Sequence, residues 1–289
     1  MEKFLVEQLY LYRIENTLQQ VSLNQNILNQ NISTQNDISK SDYPMNTKLM
    51  RKLTTFNIEK PITIICGDNG SGKSTLLKGI AEQMGSIRIT NTPSNESTYS
   101  DCDSKFSFLK LKTRRKAKRN FFFSGEDFIK YIEWLEKTKA ESHEAIHEID
   151  EKYGDTYAGM LAKQPHAHTL HDIKNLYGDS LYEKSHGEGF VSFFRSRIIN
   201  NGFYILDEPE SALSYENQYL IAILIRDAVK LGCQFIIATH SPIITAIPDA
   251  DLYEIKDGII SKTVYEDLDN IQFLNMFVRK RHYLFEEEG

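Results

Sequence analysis

Apolar positions along the chain follow two patterns. Three short runs, 61–66 (Pro-Ile-Thr-Ile-Ile-Cys), 203–206 (Phe-Tyr-Ile-Leu) and 233–238 (Cys-Gln-Phe-Ile-Ile-Ala), lack polar alternation. Such runs suit strands of a parallel sheet covered on both faces. Other segments repeat with the period of a helix. Leu76, Ile80 and Met84 stand four apart over 74–84, and Gly85 supplies a stop. Phe128, Ile132 and Leu135 stripe a helix over 126–152, with Ile146 and Ile149 as a second stripe. Helices are also predicted over about 188–199 and 215–231, the second ended by Gly232. Residues 4–12 predict an opening strand, and 53–66 further strand. The Asn- and Gln-rich stretch 16–40 predicts an exposed insertion or loop. A loop is expected over 91–105, and 154–184 is mixed, broken by Gly154, Gly159, Pro165 and Gly178. The pattern predicts an α/β fold, a mostly parallel sheet between helices. An N-terminal antiparallel strand layer flanks it, and a helical subdomain follows.

Composition narrows the classes. Hydrophobic residues at 40% and charged residues at 26% are those of an ordinary soluble globular chain. The net charge of −6 does not describe a molecule built as a whole to bind polyanions. Against it stands one basic run, Lys110 to Arg119. A charge run is by default a solvated face, and contact with nucleic-acid phosphates is the competing reading. No apolar run reaches the ~18–20 residues that cross a bilayer, so no membrane insertion is expected. The N-terminus carries no signal pattern, and a cytoplasmic location is the default. Cys66, Cys102 and Cys233 are too far apart for a disulfide framework or a zinc site. His166, His168 and His171 fit no zinc spacing, and Pro165 beside them predicts a loop with exposed histidines. Glu286 to Glu288 read as a solvated tail.

The chemistry sits at the ends of the apolar runs. Residues 67–75, Gly-Asp-Asn-Gly-Ser-Gly-Lys-Ser-Thr, fit the phosphate-loop pattern between a strand and a helix. Gly67, Asn69, Gly70, Ser71, Gly72, Lys73, Ser74 and Thr75 are the candidate phosphate-binding set. Glycines let backbone N–H groups close on phosphate oxygens, and the helix N-terminus adds partial positive charge. Lys73 would reach the β and γ phosphates, and Ser74 would offer its hydroxyl to Mg²⁺. The strand 203–206 ends in Asp207 and Glu208, the first a metal carboxylate and the second a base for an attacking water. Thr-His-Ser-Pro at 239–242 ends the next strand and brings His240 to the same sheet edge, within reach of the γ-phosphate. Ser185-His-Gly187-Glu188-Gly opens a helix and forms a second phosphate-binding turn. One chain has one phosphate loop, so the second turn implies two copies arranged head to tail.

Taken together, the motifs resemble those of an ABC-type ATPase over about 53–260. Gly67–Thr75 matches the Walker A loop, and Ser185–Gly189 the signature. Tyr204–Glu208 matches Walker B, Ser211–Ser214 the D-loop, and His240 the switch histidine. The finer pattern is similar to a group of small soluble bacterial predicted ATPases. The resemblance implies a P-loop NTPase of ABC type in one domain over 1–289. Its parts are strands and Walker A core to 123, a helical signature subdomain over 124–200, and the Walker B, D-loop and histidine part over 201–289. It also implies ATP and Mg²⁺ as ligands. Ser74, Asp207 and Glu126 are the metal candidates, Glu126 standing in the Q-loop region, where no Gln occurs. Ser185, Gly187 and Glu188 would act on the ATP of the opposite copy in a homodimer. Members of the group often control a partner, some an effector nuclease in bacterial defence. A DNA-handling ATPase shares Glu208-Pro209-Glu210. A transporter subunit is disfavoured by the Ser-His-Gly-Glu-Gly signature and by Glu210.

Overall fold

A computed structural model describes residues 9–19, 43–89, 96–98, 105–177 and 186–285. Among the described residues the main sheet has eight strands in the order β11-β10-β3-β9-β8-β7-β4-β5. Their ranges are β3 Ile62–Gly67, β4 Ile87–Ile89, β5 Glu96–Thr98, β7 Asn120–Ser124, β8 Phe203–Asp207, β9 Gln234–Ala238, β10 Asp251–Lys256 and β11 Ile259–Thr263. The six inner strands are mutually parallel, and only the edge strands β5 and β11 run antiparallel. A second sheet, β2-β1-β6, is wholly antiparallel. It consists of β1 Leu11–Asn16, β2 Thr55–Asn57 and β6 Leu109–Thr113. The helices are α1 Lys48–Lys52, α2 Lys73–Gln83, α3 Gly125–Tyr153, α4 Tyr157–Tyr177, α5 His186–Arg197, α6 Tyr215–Lys230 and α7 Asp269–Lys280. The architecture is the expected α/β one.

The main sheet separates two cores, and Phe121-Phe122-Phe123 on β7 shows how. Phe121 and Phe123 join Phe128, Phe190, Phe193, Phe194, Ile221 and Ile225 under α3, α5 and α6. Phe122 points the other way, into a core with Leu76, Leu77 and Ile80 of α2 and the inner face of the small sheet. Strand residues alternate faces, so a continuous apolar run feeds both layers.

A buried glutamine ties the two sheets together. Gln234 Oε1 accepts from Tyr10 N (2.7 Å) and Leu11 N (3.0 Å), and its Nε2 donates to Leu11 O (2.7 Å). The isosteric Gln234→Leu would strand these backbone groups in a dry interior. A loss of about 2–5 kcal/mol is expected, since each unmet buried polar group costs ~1–3 kcal/mol. Urea denaturation reads it, and an unchanged midpoint would show that β1 is held by other means.

Four local expectations are corrected. Of the strand expected over 4–12, the described part begins at Leu11 and runs to Asn16, paired with both β2 and β6, while Leu9 and Tyr10 are not strand. Residues 1–8 lie outside the described set, as does most of the Asn- and Gln-rich stretch and the tail at 286–289. The expected loop 91–105 contains β5, which pairs with β4. The mixed stretch after Gly154 is largely α4, with Pro165 inside the helix. Proline in a helix interior costs one hydrogen bond and ~3 kcal/mol. Packing against α3, burial of Ile173 and an ion pair from Lys163 to Asp150 outweigh that cost. The three histidines therefore ride on a helix, with His168 Nδ1 3.0 Å from Asp172.

Candidate nucleotide-binding site

β3 delivers the chain to Gly67 at the C-terminal edge of the parallel sheet, and α2 leaves from Lys73. The turn between them needs glycine. Gly67 has φ +141°, and a Cβ there would stand 2.8 Å from Ile255 O. Gly72 has φ +104°, and its Cβ would press at 3.0 Å on Leu49 of α1. The first-turn N–H groups of α2 have no intrahelical partners. Ser71 Oγ is buried without a hydrogen-bond partner among the described residues. Thr47, Asn69–Thr75 and Glu208 line a pocket of about 320 Å³ over this turn.

Lys73 is 3% exposed. Its Nζ donates to Gly67 O (2.7 Å) and Asp68 O (3.0 Å) and lies 2.8 Å from His240 Nε2. An ammonium only donates, so Nε2 accepts and the ring proton sits on Nδ1. Burial lowers the pKa of Lys73, opposed by the charges of Glu208 and Asp207. Ser74 Oγ donates to Asp207 Oδ1 at 2.9 Å. Asp207 ends β8, is 5% exposed, and is pushed up to about 6 by burial, with the Ser74 hydrogen bond acting against the shift. A buried cation and a buried carboxylate thus flank a concave turn of donors. That set suits a polyphosphate with a divalent cation: Ser74 and Asp207 could hold the cation, and Lys73 with the loop N–H groups the phosphate oxygens.

Glu208 follows with a left-handed backbone, φ +47°. Its N–H is tied to Ala238 O (2.9 Å), and its carbonyl accepts from Ser211 N (3.2 Å) and Ser211 Oγ (2.9 Å). The kink takes the chain out of β8 into a 3₁₀ turn, Pro209–Ala212. The Glu208 side chain stays 43% exposed with Oε1 3.7 Å from His240 Nε2. Gly125, at the start of α3, packs so closely here that a Cβ would lie 2.4 Å from Glu208 O.

The structure also recruits residues that the motifs did not single out. Ser124 is the register partner of Asp207 across β7 and β8. With Ser74, Lys78, Glu126, Ile129, Glu208 and Ser211, both line an adjoining pocket of about 330 Å³. Glu126 reaches that rim, but its side chain is 75% exposed and lies 2.5 Å from Lys130 Nζ. Thr47 caps α1, accepting from Met50 N, and no local signal connects it to the phosphate loop. Glu210 Oε1 accepts from His240 N at 2.5 Å, and Glu210 Oε2 is buried without a partner among the described residues. Asn270 of α7 donates to His240 O (3.1 Å). Ser241 Oγ accepts from Ile243 N and Ile244 N and donates to Gln218 Oε1 (2.6 Å). Gln218 Nε2 returns to Leu213 O (3.0 Å), so the loops after β8 and β9 form one hydrogen-bonded unit. Gly187 and Glu188 lie in the first turn of α5, while Ser185 is outside the described residues.

Glu210 fixes the histidine's backbone without facing the pocket itself. Glu210→Ala is expected to leave the KM for ATP within about two-fold. If His240 acts on the bound nucleotide, kcat should fall on the order of ten-fold or more, because a small misplacement of a reacting group is costly. Glu210→Gln, which keeps an acceptor, should recover most of that loss. Steady-state kinetics decide, and an unchanged kcat for the alanine variant removes the positioning role.

A glycine turn at the C-terminal edge of a parallel sheet, its lysine and serine facing an acidic strand end and a histidine, defines a P-loop NTPase of ABC type. A family model described as "ABC transporter" matches residues 52–211, more than half of the chain, and the chain belongs to this family. A second model, "AAA domain, putative AbiEii toxin, Type IV TA system", matches residues 189–246. Two Helicobacter pylori proteins, from strains 26695 and J99, are each described as "Probable iron chelatin transport ATP-binding protein". Each is 24% identical over 227 residues, covering 76% of this chain and 83% of its own. Among solved structures, a nucleotide-free ATP-binding cassette from an ABC transporter is 16% identical, with a TM-score of 0.41. It covers 96% of this chain and 100% of its own. The SMC head domain from Thermotoga maritima is 14% identical, with a TM-score of 0.38, covering 73% and 92%. No helix among the described residues is long and apolar enough to cross a membrane.

Proposed function

We propose that the chain, as one ATPase domain with a helical subdomain over 124–200, binds Mg-ATP at the phosphate loop and hydrolyses it. The carrying observation is the convergence of Ser74 on Asp207 (2.9 Å) and of Lys73 on His240 (2.8 Å) beside Glu208. A magnesium ion, when bound, supplies positive charge to the phosphate oxygens. Ser74 and Asp207 hold it, with Glu126 at the rim. Lys73 exchanges its carbonyl partners for phosphate oxygens. Glu208 orients the attacking water and takes its proton. His240 hydrogen-bonds the γ-phosphate and so reports its presence. In this reading Ser185, Gly187 and Glu188 act on the ATP of a second copy, and the ATP-bound state is a head-to-tail homodimer in the cytoplasm.

The output of the cycle is proposed to be control of a partner protein such as an effector nuclease in bacterial defence. The match of residues 189–246 to a toxin-associated model supports that direction. A transporter subunit is the second reading, favoured by the names of the two Helicobacter relatives. Recovering the ATP-trapped protein from its native cells separates the two. A co-purifying nuclease supports the first, and a membrane permease supports the second. Phosphate release measured with and without Mg²⁺ tests the shared core, and no release in either condition would overturn it.

A further inference from the structure

The basic run 110–119 does not form one surface. Lys110 and Lys112 lie on β6 opposite Glu15 and Arg13, and Lys112 pairs with Glu15 at 3.8 Å. Past Thr113 the chain leaves the small sheet and crosses to the N-terminal edge of the main sheet. There Lys118 N donates to Asn201 O (3.0 Å), and Phe203 N, at the start of β8, donates to Arg119 O (2.9 Å). The phosphate loop occupies the opposite, C-terminal edge of the same sheet.

Residues 114–119 carry five cations and no acid. Arg114, Arg115, Lys116, Lys118 and Arg119 are all exposed, and among the described residues none of the five is ion-paired. Two of them lie over aromatic rings. Arg114 Cζ lies 4.8 Å from the Tyr12 ring centroid, and Arg115 Cζ lies 4.3 Å from that of Tyr10. Tyr10 is itself fixed by its hydroxyl, which donates to Gly232 O at 2.9 Å. A guanidinium placed over a ring is restrained there and still has N–H groups that can bind phosphate. The neighbouring segment 195–202, Arg-Ser-Arg-Ile-Ile-Asn-Asn-Gly, contains no acid, and Arg195 is exposed.

We infer that this edge, residues 114–119, binds the phosphate backbone of a nucleic acid. Five exposed cations within six residues, none of them ion-paired among the described residues, suit a ligand of high charge density. A duplex carries about one charge per 1.7 Å of its axis. Within 114–119 the one apolar residue is Ala117, so the segment itself carries no large side chain to insert into a bilayer. The inference does not rest on ATP hydrolysis, because the patch shares no residue with the phosphate site.

The test is fluorescence anisotropy of the full chain with a labelled DNA duplex of about 30 base pairs, without nucleotide, across a KCl series. Wild type is expected to bind with a steep salt dependence. Lys116→Gln/Lys118→Gln/Arg119→Gln should weaken binding at least ten-fold at low salt. It should also flatten the log–log salt slope by about 3, one for each lost phosphate contact. Lys110→Gln/Lys112→Gln should change neither. Thermal unfolding of each variant confirms an intact fold. Wild-type affinity and slope in the triple variant would overturn the inference, as would equal loss in the Lys110/Lys112 pair. Failure of wild type to bind DNA, with binding to phosphatidylserine vesicles instead, would overturn it in favour of an anionic lipid surface. None of these results bears on whether the phosphate site hydrolyses ATP.

Discussion

Glu208→Gln is expected to bind ATP with near wild-type affinity, to turn it over about 100–1,000-fold more slowly, and to accumulate as a dimer when ATP is present. The rate estimate is the usual worth of a general base. Elimination among the acids of the site points to this residue. Asp207 is buried and holds the Ser74 hydroxyl. Glu210 is spent on the His240 backbone. Glu126 stands at an exposed rim beside Lys130. Glu208 alone among these four combines solvent access with a position beside both Lys73 and His240. The amide keeps the side chain's shape and its left-handed backbone, so binding survives while proton abstraction does not. Phosphate-release kinetics and size-exclusion chromatography with ATP measure the two halves separately. Wild-type turnover would assign the base elsewhere. Slow turnover without dimer would keep the base and discard the coupling to assembly.

Lys73→Ala is expected to lose nucleotide binding, by about 100-fold or more. A charged hydrogen bond is worth about 1.5–3 kcal/mol, and each ~1.4 kcal/mol is ten-fold in affinity. Lys73 can aim at least two such bonds at phosphate oxygens. It is held in advance by two loop carbonyls and His240, so little order is lost when phosphate takes their place. Because the side chain is buried, the bulkier Lys73→Met serves as a packing control. Both variants should lose binding of a fluorescent ATP analogue while unfolding at a temperature close to wild type. Retained affinity in the methionine variant would show that the backbone donors and the metal suffice.

What the chain discloses directly depends on how local the physics is. The phosphate loop is legible because nine consecutive residues carry both its backbone conformation and its chemistry. The carboxylates after Leu206 and the histidine after Ala238 are legible because parallel strands deliver their C-terminal ends to one edge. Glu210 is not legible as a clamp, since its partner lies thirty positions away and the contact exists only once β8 and β9 lie side by side. Ser124 escapes for the same reason: its pairing with Asp207 belongs to the register of β7 and β8. The end of the opening strand at Asn16 is not legible because an apolar stretch does not by itself choose its partners. Helix α4 was hidden by a proline whose cost is met by packing against α3, a contact with no signature inside α4. The split of the basic run follows from where β6 ends, which its composition does not mark.

Gly125 carries one consequence of scale. The missing Cβ seats the root of α3 directly on the Glu208 carbonyl, and α3 runs on for 29 residues. At ~1.5 Å per residue that is a rod of about 43 Å, so a tilt of about 5° at its root sweeps the far end through roughly 4 Å. A tilt of α3 of that size, set at the Glu208 peptide, would therefore appear as a displacement the size of a side chain at Tyr153 and Gly154.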